Sequence, residues 1–470
     1  MRPKGTLNHM PNMKKLAKPY EKNAIDALKV FVSKKSVYDP SSIEEGAPYG
    51  KGVKSALDYL AKLGKDFGFA VDTCDGYVTE ITCGEEGPII GVYGHADVVP
   101  ATGKWSTKDP FKAEIVGEKK DAKMIARGTS DDKGPLLAAF YAMKLLKDNG
   151  LVKGYRIRLC AGGDEERGSS CLKHYFEDMH KEHCALGFTP DADFPLIYAE
   201  KGMVKRCFLK KQVDLSPIIG MDGGVVSNAV NDKLVVTLPL DEKFAQAFAD
   251  AKIDGEVRKE TGFMIAIFRG KTAHGSTPEL GKNAALSAFS FLGSYYHIDF
   301  LSNLAKALSD PSGKSFGGDS LSPELGKSTF NYGIVSYESN RKNLSISVDY
   351  RYGEKADPES ALNALQDASK MDVHCEGFVA PLLYDKKSPL VSTLMKSYRH
   401  MTHRFFDKPM AIGGGTYAKE AKNCVAYGSA FKGHPGDIHS PNEYIYIEDF
   451  LKQIPIYADA IASLGKVASK

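Results

Sequence analysis

His95 and Asp97 stand in the stretch Gly91-Val-Tyr-Gly-His-Ala-Asp-Val-Val-Pro100. An imidazole with a carboxylate two residues later has the layout of a metal ligand and the group that fixes its tautomer. A loop histidine hydrogen-bonded to a nearby Asp would look the same, so the pair has to be weighed with its company. Arg127-Gly-Thr-Ser-Asp-Asp-Lys-Gly134 places Asp131 and Asp132 just ahead of an apolar helical pattern. Gly162-Gly-Asp-Glu-Glu-Arg-Gly168 places Glu165 and Glu166 after a strand-like run. Thr189-Pro-Asp-Ala-Asp-Phe-Pro195 offers Asp191 and Asp193, and His434-Pro-Gly-Asp-Ile-His439 offers two imidazoles. Each has a plain structural use. Asp131 could cap a helix, Glu165 and Glu166 could form a solvated turn, Asp191 could make an Asx-turn, and His434 could be a surface residue. Taken together they resemble a dinuclear site. Two divalent ions about 3.5–4 Å apart need mixed nitrogen and oxygen ligands and one bridging carboxylate. Adjacent glutamates suit a division of labour in which one binds metal and the other carries a proton.

The elements that must position these residues read as a mostly parallel sheet. Pro88-Ile-Ile-Gly-Val-Tyr93 is an apolar run of the kind found in a buried parallel strand, and sites in such sheets form beyond the carboxyl ends of the strands. Tyr155-Arg-Ile-Arg-Leu-Cys160 is a second strand. Helices are predicted near Tyr20–Lys34, over Pro135–Asp148, where Leu136, Leu137, Phe140, Met143 and Leu146 recur at helical spacing, and over Ser169–Lys181.

The middle third differs. A strand at Phe263–Phe268, a long helix at Asn283–Ala307, strands at Ser328–Ser336 and Asn343–Tyr352 and a helix near Pro358–Ser369 suggest a compact α+β domain with an antiparallel sheet. Helices at Leu390–Thr402 and near Ile447–Leu464, with the loop Gly413-Gly-Gly-Thr416 between them, return to the first style. The expected architecture is an α/β domain (residues 1–200 and 385–470) interrupted by an inserted α+β domain (201–384).

Composition narrows the function classes. Of 470 residues, 62 are Lys or Arg and 59 Asp or Glu, a net charge of +3, which gives no reason to propose nucleic acid or an anionic membrane as partner. The N-terminus has basic residues with no apolar core behind them, and no run is long enough to span a bilayer, so a cytoplasmic location is expected. The first dozen residues read as a loose extension. The eight cysteines contain no Cys-x-x-Cys pair, which argues against a disulfide framework or a thiolate zinc cluster.

The chain resembles the M20 metallopeptidase family, specifically its peptidase V-like dipeptidases, from about Tyr20 onward. The resemblance rests on Gly94-His-Ala-Asp-Val-Val-Pro100, Gly128-Thr-Ser-Asp-Asp-Lys-Gly-Pro135, Asp164-Glu-Glu166, Pro190-Asp-Ala-Asp-Phe-Pro195, Ala273-His-Gly275 and the His439 loop. It implies that His95 and Asp191 bind one metal, Glu166 and His439 the other, and that Asp131 bridges both. It further implies that Glu165 is the general base and that Asp97 orients His95. Asp132 is left to helix capping, and Asp193 is a non-ligand. The resemblance makes residues 1–200 and 385–470 the catalytic domain and 201–384 a lid, in which His274 would stabilise the oxyanion and Asn228 and Arg351 would hold substrate; a guanidinium fork suits a free carboxylate. Gly414, Gly415 and Thr416 would add donors to that carboxylate. Where relatives read Asn-Met-Val-Pro this chain reads Asn228-Ala-Val-Asn231, a departure that weakens the assignment of Asn228.

The implied activity is hydrolysis of dipeptides with a free N-terminus by a metal-bridging hydroxide. Two divalent ions are implied, zinc first, with manganese or cobalt as alternatives. The implied partner is a small peptide. A monomer is expected because a larger lid can replace a dimerisation domain, with a dimer as the alternative. The rival activity is deacylation or desuccinylation of N-acyl amino acids at the same kind of centre. A binding protein that had lost its metal should lack a ligand or the base, and none is missing.

Overall fold

The computed structural model describes residues 11–470, and the N-terminal extension expected from the sequence falls largely outside them. The chain forms two compact units. One comprises residues up to Tyr198, Tyr384–Met410 and Thr416–Lys470; the other comprises Ala199–Leu383 and Ala411–Gly415. The short segment Ala411–Gly415, read from sequence as part of the returning stretch, therefore groups with the second unit. There the Lys201 N–H donates to the Ile412 carbonyl at 3.1 Å.

In the first unit the sheet order runs Ala70–Asp72, Val78–Cys83, Arg156–Gly162, Ile89–His95, Leu186–Thr189, Cys424–Ala426. The four inner strands pair in parallel, with Tyr93 opposite Cys160, Val92 opposite Phe188, and Val425 opposite Phe188 on its other side. The outer pairings with Val78–Cys83 and Ala70–Asp72 are antiparallel. Every residue of Ile89–His95 is buried, as a strand covered on both faces must be. The helix Lys133–Asp148 is buried on nearly all sides and packs against Ile447–Ala468. Among the described residues no helix is long and apolar enough to cross a membrane.

The second unit has an antiparallel sheet covered by helices. Lys233–Pro239 pairs with Phe263–Arg269 and with Gly220–Gly223. Leu234, Val236 and Leu238 face the core, with Met264, Ala266 and Phe268 beside them. Asn343–Tyr352 pairs with Val335–Glu338 and Cys207–Gln212.

Three sequence expectations change here. The long helix Asn283–Ala307 is two helices, Ala284–Tyr295 and Asp299–Ala307. His297 between them has φ 56°, and the Ile298 N–H closes on the Gly293 carbonyl at 2.9 Å. The second helix crosses so close to Gly293 that a Cβ there would meet Ser302 at about 2.5 Å. The strand Ser328–Ser336 is likewise two, Thr329–Asn331 and Val335–Glu338, broken at Gly333, whose carbonyl Gly224 approaches too closely for any side chain. Finally, Cys207 and Cys375 form one disulfide across neighbouring strands, while the other six cysteines are free. The bridge is not a framework, but spacing gave no hint of it, because the partners meet only through sheet pairing of Phe208 with His374.

Candidate metal centre

The carboxyl ends of the parallel strands converge in the first unit. His95 is the last residue of Ile89–His95; Glu165 and Glu166 follow Arg156–Gly162; Asp191 follows Leu186–Thr189; His439 lies in the loops after Cys424–Ala426. Asp131 sits just before the helix Lys133–Asp148. Ligand-type atoms of these residues fall into two groups, His95 with Asp131 and Asp191, and Asp131 with Glu166 and His439, each with its atoms within 4.8 Å of one another. Asp131 belongs to both. Its Oδ1 lies 2.9 Å from His95 Nε2 and its Oδ2 lies 2.9 Å from His439 Nε2. His95 Nε2 is also 3.8 Å from Asp191 Oδ2, and His439 Nε2 is 3.1 Å from Glu166 Oε2.

Each group offers one imidazole and two carboxylates, a mixed nitrogen and oxygen donor set that suits a divalent metal ion. The depth differs: His95 is fully buried, whereas the His439 side chain is 51% exposed. With protons alone to balance the charge, the groups hold each other in shifted states. Asp131 and Glu166 push the His439 imidazole up to about 11. Burial lowers His95, but its bonds to Asp131 and Asp97 outweigh that and hold it well above the usual range. Burial also raises Asp131, yet His439 and His95 together keep its carboxyl low. Glu165, outside both groups, is pushed well up by burial and by the charge of Asp191.

The supporting shell is more specific than the sequence suggested. His95 Nδ1 faces the Asp97 backbone carbonyl at 3.0 Å, with the Asp97 carboxylate at 3.4 Å. That carboxylate also accepts the N–H groups of Glu165 at 3.1 Å and Glu166 at 3.2 Å, so one residue braces both the imidazole and the glutamate turn. Asp132 occupies the N-cap position, but its side chain makes no capping bond. It turns away to accept the His95 N–H at 3.2 Å. This corrects the capping role: a buried strand end leaves the His95 amide without a partner, and the carboxylate supplies one. Asp193 and His434 lie outside both groups. The His434 ring sits on Tyr446, with Nδ1 against the Asp449 carboxylate.

Sequence reasoning missed Glu443. Its carboxylate is fully buried and accepts the N–H groups of Gly128, Ser130 and Asp131 at 3.0, 2.9 and 3.2 Å. Its other oxygen takes Arg127 Nη1 at 2.7 Å. The available signal was Arg127, a cation beside a tight acidic loop that needs a counter-charge wherever it is buried.

The residues expected in the lid gather within the second unit. The Gly275 N–H donates to the Asn228 carbonyl at 2.6 Å, and His274 Nδ1 lies 2.7 Å from Ser276 Oγ. Arg351 Nε and Nη2 donate to the Asp349 carboxylate, and Nη1 donates to the Gly413 carbonyl at 2.7 Å. A Cβ on Gly413 would strike Ser276 at about 2.5 Å. Arg351 is 5% exposed, whereas His274 and Asn228 are open to solvent. Gly414 and Gly415 belong to this unit and Thr416 to the first, where its Oγ1 accepts the Ala418 N–H.

Known proteins match both the sequence and the fold. "Putative dipeptidase YtjP" of Bacillus subtilis is 34% identical over 456 residues, covering 93% of this chain and 96% of that one. The solved structure of the di-peptidase Dug1p from Saccharomyces cerevisiae is 14% identical, covers 97% of this chain and 98% of that one, and superposes with a TM-score of 0.60. Human carnosine dipeptidase 1 is 12% identical, with coverage of 97% and 98% and a TM-score of 0.57. Both share the fold. The model of peptidase family M20/M25/M40 matches residues 91–463, from the strand that ends in His95 to the helix beyond His439, and the chain belongs to that family of peptidases.

Proposed function

We propose that the protein is a two-metal dipeptidase that cleaves short peptides with a free N-terminus. The observation that carries this reading is the sharing of Asp131 between two ligand groups, with a protonatable Glu165 beside them but in neither. His95 and Asp191 hold one ion, Glu166 and His439 the other, and Asp131 both, with zinc the first choice and manganese or cobalt the alternatives. Bound there, the ions would polarise the scissile carbonyl and make a water acidic near neutral pH.

The chain's own residues do the rest. Glu165 takes a proton from the attacking water and returns it to the leaving amine. A carboxyl raised by burial suits a group that must hold a proton between the two transfers. Asp97 keeps the Glu165–Glu166 turn and His95 in place. His274 donates to the carbonyl oxygen as it gains charge. Arg351, its plane fixed by Asp349, together with Asn228, Gly414, Gly415 and Thr416, receives the substrate's carboxylate. The preference for dipeptides draws support from the relatives, since YtjP, Dug1p and carnosine dipeptidase are all named for that activity. The protein acts as a cytoplasmic monomer in this reading, and sedimentation would reveal a dimer.

The test is a substrate panel on metal-reconstituted protein. Unblocked dipeptides, β-alanyl-histidine among them, are expected to be cleaved, and N-acetyl or N-succinyl amino acids to be poor substrates. The reverse ranking would assign the chain to N-acyl-amino-acid hydrolysis at the same centre.

A further inference from the structure

We propose that Glu443 is a positioning residue for Asp131, and that its carboxylate sets where the shared metal ligand stands. The inference rests on the reading of Asp131 as a ligand. Successive backbone N–H groups that point inward form a nest, a concavity that attracts an anion. The loop Arg127–Asp131 makes such a nest from the amides of Gly128, Ser130 and Asp131, and all three point at Glu443 Oε1. The loop can adopt this shape because Gly128 has φ 87°, a conformation costly for any residue with a Cβ.

The grip extends on both sides of the nest. The Ala126 N–H donates to the Glu443 carbonyl at 3.1 Å, Ser130 Oγ donates to the Tyr444 carbonyl at 2.7 Å, and Tyr444 pairs with Ile125 in a small sheet. Two residues of the returning segment thus bond to Ala126, Arg127, Gly128, Ser130 and Asp131. The Asp131 side chain remains clear of this cradle and reaches His95 and His439. The nest and Arg127 are positive and Glu443 is negative, so the anchor is neutral overall and does not compete with a cation for Asp131. Glu443 also follows His439 by four residues. It therefore links the loop of the shared ligand to the segment that brings the last imidazole.

The test uses the full chain stripped of metal, titrated with zinc or manganese by calorimetry, with amide exchange of residues 126–132 followed before metal is added. In Glu443→Ala, metal affinity is expected to fall about 10–100-fold, the usual cost of losing a partner that orients a ligand loop. The Gly128, Ser130 and Asp131 amides should exchange faster in the same variant. The double variant Arg127→Met with Glu443→Gln keeps an acceptor for the three amides and leaves no guanidinium unpaired; it should bind metal within a few-fold of wild type. Wild-type affinity in a folded Glu443→Ala overturns the proposal, as does a double variant no better than Glu443→Ala. Should Glu443→Ala not fold, Glu443→Asp replaces it: the charge is kept but the reach is a methylene short. Weakened metal binding with normal melting then supports the proposal, and unchanged binding overturns it. Asp131→Asn separates the two readings. If it retains full metal affinity, the ligand assignment has failed. If it loses metal while Glu443→Ala does not, only the positioning role has failed.

Discussion

The two units support their candidate functional residues in different ways. In the first, His95, Glu165, Glu166 and Asp191 stand at or just beyond parallel strand ends; Asp132 braces His95, Asp97 braces the glutamate turn and Glu443 braces the Asp131 loop, all through backbone amides. In the second, His274 and Asn228 ride on exposed loops held mainly by main-chain bonds, and Arg351 alone is buried, paired with Asp349. A metal site tolerates little positional error, so its ligands belong on rigid elements with their own supporting bonds. Residues that meet a departing substrate can sit on looser support. If that contrast is right, changes in the first unit should alter metal and chemistry together or chemistry alone, and changes in the second should never alter metal.

The largest effect is expected at Asp131. Asp131→Asn should abolish activity and remove most bound metal, because one residue serves both groups; elemental analysis after dialysis, beside turnover, checks this. Full metal retention would mean that the groups do not share it. Glu165→Gln should keep its metal while losing about 10²–10⁴-fold in turnover, the range of general acid–base catalysis. Near-normal turnover would remove the base.

In the second unit His274→Ala should lower kcat by about 10²–10³-fold, the cost of one oxyanion donor, with metal content untouched. Arg351→Ala should raise KM for substrates with a free carboxylate and matter little for amidated ones. Single-turnover kinetics tests the contrast most sharply: an unchanged chemical step in His274→Ala would confine catalysis to the first unit.

The smallest effect is one of pH on the metal-free protein. His439 is raised to about 11 by Asp131 and Glu166, and the Glu165 carboxyl is raised by burial. A group with a raised folded pKa contributes its stability below its unfolded value and loses it as pH climbs through the folded one. The melting temperature of the stripped protein should therefore decline from about pH 7 toward the titration of His439. Metal takes the place of the proton on His439, so the loaded protein should lack the part of that slope that His439 supplies. Parallel melting curves for the two forms would expose a wrong sign.

How much of this was legible in sequence follows from the kind of bond involved. The ligand-type residues could be named because imidazoles and carboxylates at strand ends carry a chemical signature, and the apolar run into His95 marks its strand. The helix expected near Pro358–Ser369 is found there, with Asp357 as its cap and Pro358 at its first position. Glu443 and Asp132 were not readable, because their partners are backbone amides, which every residue possesses. The break at His297 was hidden in an unbroken apolar pattern, and only the close crossing at Gly293 explains it. The Cys207–Cys375 bridge was hidden because strand register, not spacing, brings its ends together.

The route of the chain also sets an order of assembly. A ribosome delivers residues from the N-terminus, and the strand Leu186–Thr189 must wait for its neighbour Cys424–Ala426 until the whole second unit has emerged. His95, Asp131 and Asp191 are all present on the nascent chain before that, whereas Glu166 lacks His439. At birth the two ligand groups are therefore unequal, one complete in composition and one still lacking its only nitrogen donor. In the proposed centre a polypeptide halted inside the second unit holds one full donor set at most, and the other is completed only when the returning segment brings His439.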